Sequence, residues 1–410
     1  MVRSLVVIVL FCVGLGLITG SAPAAITLLG VGTLPGNMPD LSGLTEKASD
    51  GTPQNQLGGL SALAYTGRGH EYVHLADRGP KDGASDYVCR IHRMEMRVEP
   101  GAKPAVTLKL LSTTLLSDEH GRRYIGSLEA VNPKDVESSQ RLDPEGLALG
   151  RDGTIYIADE YGPVIYEFDA RGKRLRSLPL PAHFRPAKSS KTPAEELPPH
   201  NTVGRQPNRG MEGLAISPDG TKLYGIMQSP LIQDGGVNAE GQRVGRNCRL
   251  LEVEIRTGKT REFVYPLEQA SHGLNEILAI NDHEFLVIER DSKPGQQARF
   301  KKIMHIDLAG ATDVSRVESL PAGSLPNSIV PVQKKVLLDL LDERFKIAGN
   351  DCPEKFEGLA FGPDLPDGRH LLLVTADNDF LPEQPFRVYA FAIDPADLPG
   401  YRPQQFNPRR

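Results

Sequence analysis

The feature that most constrains this chain is a unit it repeats five times. LSALAYTGRGHEYVHLADRG covers 60–79 and DPEGLALGRDGTIYIADEYG covers 143–162. MEGLAISPDGTKLYGIMQS (211–229), NEILAINDHEFLVIERDS (275–292) and FEGLAFGPDLPDGRHLLLVTADND (356–379) follow. Each reads as a polar residue, a short apolar run, a turn, a second apolar run and a polar cluster. The midpoints fall on Gly69, on Asp152 beside Gly153, on Gly220, between Asp282 and His283, and on Asp367 beside Gly368. These residue types tolerate tight hairpin geometry. Each unit is therefore predicted to be a β-hairpin with its two polar ends facing each other. Ser61 would face Asp77, Glu145 Asp159, Glu212 Gln228, Glu276 Glu289, and Glu357 Asp377.

More short strands follow each hairpin, such as VIYEFDA and KRLRSLPL after the second and CRLLEVEI and TREFVYPL after the third. The fifth unit has only FRVYAFAI left, and the N-terminal ITLLGVGTL is available to complete it. Four strands per unit, with one blade closed by the start of the chain, predict an all-β propeller. Five blades are legible, and a sixth could hide in insertions such as 183–210, so the expectation is five or six. The 33 prolines and 41 glycines agree with many short strands and no long helix.

The first 24 residues carry Arg3, an apolar run and the small residues Ala22-Pro23-Ala24, the pattern of a secretory signal peptide. The mature part, 25–410, then forms a single propeller domain, secreted or periplasmic, with no membrane span. It is expected to be a monomer. A formal net charge of −5 without a Lys/Arg cluster argues against nucleic acid as a partner. Of the mature cysteines Cys89, Cys248 and Cys352, one pair could bridge in an oxidising compartment.

In a propeller, the first strand of each blade lines the central channel. Glu145, Glu212, Glu276 and Glu357 would then ring one mouth, with Asp77, Asp159, Glu160, Glu289, Asp291, Asp377 and Asp379 just outside. Gathered carboxylates repel one another unless a cation is present. Many hard oxygen donors suit Ca²⁺ better than Zn²⁺. Glu145, Glu212, Glu276, Glu357, Asp159 and Asp377 are the candidate metal ligands. Arg78, Arg209 and Arg290 stand beside the same clusters and are candidates for holding an anionic or phosphorylated small substrate. The competing expectation is that the glutamates accept backbone N–H groups from neighbouring blades and only fasten the ring. Ser61 and Gln228 interrupt the acidic pattern, so metal binding is expected on one side of the ring. Asp152, Asp219 and Asp367 read as turn residues. HEYVH (70–74) matches a zinc-protease motif, yet it falls on a strand, where its histidines lie roughly 13 Å apart at ~3.3 Å per residue.

The phrases DPEGLAL with IADEYGP, NRGMEGLAISPDG with LYGIMQS, NEILAI with FLVIERD, and KFEGLAF with LLVTADND resemble the phytase-like family, described by esterase-like activity of phytase. The resemblance runs from about residue 58 to 393. It implies a secreted propeller and a calcium-dependent phosphoesterase. In that reading Glu160 or Glu289 orients or deprotonates the attacking water, and Arg78 and Arg290 bind phosphate. A non-catalytic ligand- or protein-binding propeller and a metal-dependent lactonase are the alternatives.

Overall fold

The computed structural model describes residues 26–407; the segment read as a signal peptide lies outside them. Twenty strands form five four-stranded antiparallel sheets among the described residues. The first strand, β1 (Thr27–Leu34), belongs to the last blade. Blade one holds β2 (Leu60–Tyr65), β3 (Glu71–Ala76), β4 (Arg90–Val98) and β5 (Val106–Leu115). Blade two holds β6 (Pro144–Leu149), β7 (Ile155–Asp159), β8 (Val164–Phe168) and β9 (Arg174–Leu178). Blade three holds β10 (Met211–Ile216), β11 (Lys222–Met227), β12 (Asn247–Glu254) and β13 (Thr260–Pro266). Blade four holds β14 (Gly273–Ala279), β15 (Glu284–Arg290), β16 (Lys301–Asp307) and β17 (Gln333–Asp339). Blade five holds β18 (Phe356–Phe361), β19 (His370–Ala376) and β20 (Phe386–Ile393), and β1 completes it by pairing antiparallel with β20. The fold is thus a five-bladed propeller closed by the N-terminal strand, and no sixth blade hides in the insertions of the described chain.

Alternation builds the ring. Successive side chains of a strand point to opposite faces, so each blade presents an apolar face to both neighbours. Tyr224 and Leu250 of blade three pack on Val287 and Met304 of blade four. Leu286 and Ile303 of blade four pack on Leu372 and Phe391 of blade five. Asp152, Asp219 and Asp367 close their turns as expected, each accepting the N–H of the residue two further on. Four of the five HEYVH residues, Glu71 to His74, lie on β3, with His70 in the turn before it. Cys89, Cys248 and Cys352 are all buried and free, so the bridge that the sequence left open is not formed. No described helix is long and apolar enough to cross a membrane.

Candidate functional site

Every hairpin carries a β-bulge at the start of its inner strand. The register shifts between Leu60 and Ala62, Pro144 and Gly146, Met211 and Gly213, Leu274 and Glu276, and Phe356 and Gly358. A bulge leaves one residue outside the ladder and re-aims its side chain. The residues so placed are Ser61, Glu145, Glu212, Asn275 and Glu357. They form the ring at the mouth. The bulge also displaces the expected pairings by one: Pro144, not Glu145, lies opposite Asp159, and Phe356, not Glu357, lies opposite Ala376.

Blade four departs from the sequence expectation at this point. Asn275 takes the ring position, and Glu276 falls where blades two, three and five have Gly146, Gly213 and Gly358. Glu276 is buried in the channel below the ring. It accepts the N–H of Ile277 at 2.9 Å and that of Leu214, on blade three, at 3.3 Å. Among the described residues it is the one glutamate of the four that accepts a backbone N–H from a neighbouring blade. Packing fixes this slip: Ile277 is buried like Leu147, Leu214 and Leu359, so N-E-I answers to E-G-L.

Above the ring lies a cavity of ≈ 890 Å³. Two insertions wall it. The segment 183–210 brings Asn208 and Arg209, and the loop after β19 brings Asp379, Phe380 and Leu381. Lys81, Asp82, Asn208, Asp379 and Phe380, all at the cavity, have left-handed backbone with φ of 60°, 51°, 53°, 50° and 56°. Lys346 is the other described non-glycine residue with positive φ. Such conformations persist only where the surroundings impose them, and they concentrate at functional sites.

The charges at this mouth fall into compensated and uncompensated groups. Arg78 donates to Asp143 and Asp82, each at 2.8 Å, bonds Asn208, and lies 3.8 Å from Glu160. It is therefore committed to protein carboxylates. Lys355 pairs with Asp379 and sits 3.8 Å from Asp377. Arg290 donates to Glu357 at 2.9 Å, and Ser61 and Asn275 also reach that carboxylate, each at 3.4 Å. Glu145, by contrast, has neither hydrogen bond nor ion pair among the described residues. Glu212 receives only the Asn275 amide at 3.4 Å, and its buried Oε2 has no partner; nor has Asn275 Oδ1. Burial raises the carboxyl of Glu145 well above its ordinary value, with the charge of Glu212 next in effect. Glu212 is raised in the same direction, by burial and then by Glu160.

Two oxygen clusters have ligand atoms within 4.8 Å of one another: Asp143, Glu145 and Glu160, and Asp77, Asp377 and Asp379. Glu160 is pushed up to about 8 by burial and by Asp143, against the pull of Arg78. Its Oε1 accepts the N–H of Gly210 at 3.1 Å. Asp377 is pushed up to about 8 by burial, against the pull of Lys355. Its Oδ1 holds the N–H groups of Leu60 and Asn378, and its buried Oδ2 has no hydrogen bond.

Two further sequence candidates are drawn away from the mouth. Asp159 spends both oxygens on the N–H groups of Asp143, Tyr161 and Gly162, at 2.8, 3.3 and 2.6 Å, which shapes the turn after β7. Glu289 is wholly buried between blades three and four. It takes the Tyr265 hydroxyl at 2.8 Å, the Glu268 N–H at 2.7 Å, His272 Nδ1 at 3.0 Å and Lys334 at 3.2 Å. Burial pushes it up, but the His272 bond and the Lys334 charge leave it below its ordinary value. Arg209 does reach the cavity, and it has no ion-pair partner among the described residues. Burial and then Arg243 push its guanidinium down to about 10. Asp143, Asn275 and Lys355 were not singled out from sequence. Asp143 stands two residues before Glu145 in D-P-E-G, and Lys355 two before Glu357 in K-F-E-G.

Fold and site together define a five-bladed propeller with one charged, walled mouth. Residues 55–380 match the model of the phytase-like family, described as esterase-like activity of phytase, and the chain belongs to that family. A relative in Arthroderma benhamiae, an uncharacterized secreted protein, is 27% identical, with 86% of each chain covered. Among solved structures, the calcium-binding protein regucalcin of Agrobacterium tumefaciens is similar at 12% identity and TM-score 0.36, covering 92% of this chain and 98% of its own. The virginiamycin B lyase of Staphylococcus aureus is similar at 13% identity and TM-score 0.34, covering 83% and 97%.

Proposed function

We propose that this protein is a secreted, calcium-dependent ester or phosphoester hydrolase working at the carboxylate mouth. The carrying observation is that Glu145 and Glu212, in consecutive blades, face the mouth without an ion pair, while Asp143 and Glu160 have Arg78, Glu357 has Arg290 and Asp379 has Lys355. Two adjacent carboxylates left uncompensated at a cavity call for a cation or a shared proton. The donor set fits a hard cation: carboxylate and amide oxygens, with the orphaned Glu212 Oε2 and Asn275 Oδ1 among them. Glu145, Glu212 and Asn275 would hold Ca²⁺, and Glu357 would set the position of Asn275. A divalent cation bound there supplies Lewis-acid polarisation of the ester and charge neutralisation.

The chain's own groups supply the rest. Arg209 offers its guanidinium to the anionic group of the substrate. Glu160, held near its protonation midpoint by burial, gives a proton to the departing alcohol oxygen as water adds and the ester bond breaks; the water's proton restores it. Arg78 keeps Asp143 and Glu160 in place rather than binding substrate. Secretion is supported by the signal-like residues 1–24 and by the name of the Arthroderma relative.

A second reading, a propeller that binds a ligand without turning it over, draws on the internal neutralisation of both acid clusters by Arg78 and Lys355. Hydrolysis of a panel of carboxylic and phosphoric esters in Ca²⁺ and in EDTA separates the two. Calcium-dependent turnover that disappears in Glu145→Gln and Glu160→Gln supports the hydrolase. Calcium binding with no turnover of any ester refutes it and leaves the binding reading.

A further inference from the structure

We propose that the mouth selects esters carrying one anionic group and an apolar substituent, which rests against Leu381, and that it excludes polyanions such as inositol hexakisphosphate. This rests on the hydrolase reading for chemistry, but it is a statement about binding.

The charge inventory comes first. Nine carboxylates and five basic side chains line the cavity among the described residues. Four of the five bases are already paired: Arg78 with Asp143, Lys81 with Asp50, Arg290 with Glu357 and Lys355 with Asp379. Only Arg209 is uncommitted. One divalent cation and one guanidinium neutralise a single phosphate or carboxylate. Further anionic groups would face an excess of like charge in a partly desolvated space.

The wall supplies the second half. Leu381 is 39% exposed and lines the cavity with Pro53 and Pro382. Its position is imposed. Asp379 and Phe380 both adopt left-handed backbone just before it. The Phe380 ring is buried against Tyr87, with centroids 4.8 Å apart. The Phe380 carbonyl accepts Gln56 Nε2 at 2.8 Å. The loop is closed by Leu381 N–H to the Asn378 carbonyl at 2.8 Å and by Gln384 N–H to the Leu381 carbonyl at 3.0 Å. A branched apolar side chain held rigidly over a charged cavity is a contact surface for the uncharged part of a ligand. An aryl or branched alkyl group there loses water on both sides.

The test is calorimetric binding, in Ca²⁺, of phenylphosphonate, methylphosphonate and inositol hexakisphosphate to the full chain. Phenylphosphonate is expected to bind about tenfold tighter than methylphosphonate, the scale of an apolar-pocket contact, and tighter than the hexakisphosphate. Leu381→Asp should remove the preference for phenyl over methyl, and Leu381→Met should keep it. Circular dichroism checks that both variants fold. Tightest binding of the hexakisphosphate, an equal affinity for the two phosphonates, no phosphonate binding, or an unchanged preference in Leu381→Asp overturns the inference. Selective phenylphosphonate binding without turnover of any ester, phenyl phosphate included, upholds it and refutes the hydrolase reading alone.

Discussion

Glu276 of the fourth blade accepts the backbone N–H of Leu214 in the third blade at 3.3 Å, inside the channel. It stands one residue after the ring position that Asn275 fills, so its carboxylate serves the ring's integrity and not the mouth. Glu276→Ala is expected to lower stability by ~1–3 kcal/mol, the cost of leaving buried donors unsatisfied, with Ca²⁺ affinity unchanged. Urea denaturation and a Ca²⁺ titration check both. A large loss of Ca²⁺ affinity at equal foldedness would return Glu276 to the ligand set.

Glu145 and Glu212 should behave in the opposite way. Neutralising either removes like-charge repulsion in the metal-free protein and a ligand in the loaded one. Glu145→Gln and Glu212→Gln are therefore expected to raise Tm in EDTA and to abolish the rise in Tm that Ca²⁺ confers on the unmodified chain. Differential scanning calorimetry with and without Ca²⁺ measures both effects. A lower Tm in EDTA would mean that the pair is already compensated.

Glu289 and Glu160, both acids at the ends of second strands, should separate cleanly. Glu289→Ala strands His272 and Lys334 in the core and is expected to cost ~3–5 kcal/mol, the range for breaking a buried pair. Turnover per folded molecule should stay. Glu160→Gln should keep the fold and lose turnover. Denaturant midpoints and initial rates on soluble, folded fractions distinguish them.

The metal-free protein should lose stability as pH rises. Folded-state values near 6 for Asp159 and near 8 for Glu160 and Asp377 exceed the ordinary carboxylate range. The folded chain then holds more protons than the unfolded one between about pH 4 and 8. Stability is fullest below the unfolded values and declines through the folded ones. Tm in EDTA should accordingly be lower at about pH 8.5 than at about pH 5, and Ca²⁺ should help most at the higher pH. A Tm in EDTA that rises over this window contradicts the assignment.

The C-terminal residues strap the channel's other end. Tyr401 stacks on Phe361 with centroids 4.3 Å apart, and the N–H groups of Arg402, Gln405 and Asn407 donate to carbonyls of Ile280, Pro218 and Arg151. Phe406 packs on Tyr65. All five blades are touched in turn. Truncation after Gly400 should lower the denaturant midpoint and let a small dye into the ≈ 520 Å³ chamber beneath the strap. Unchanged stability and no dye binding would show the strap to be dispensable.

The hairpin ends, the turn residues and the N-terminal closing strand were readable along the chain because each depends on residues close in sequence or on the simple alternation of a strand. Glu145, Glu212 and Glu357 were readable for the same reason: E-G-L repeats, and a propeller places repeats in a ring. Asn275 in place of Glu276 was not read, because a one-residue bulge slip reassigns every face of a strand, and only packing of Ile277 against its neighbours fixes that register. Nor could the chain alone tell that Arg78 is spent on Asp143, that Lys355 answers Asp379, or that Arg209 is left free. The first joins blade one to the segment before β6, and the second closes the two ends of the fifth hairpin. Spacing along the sequence put carboxylates at one mouth; which of them are left without a base was decided in three dimensions, by which bases the ring brings within a few ångströms.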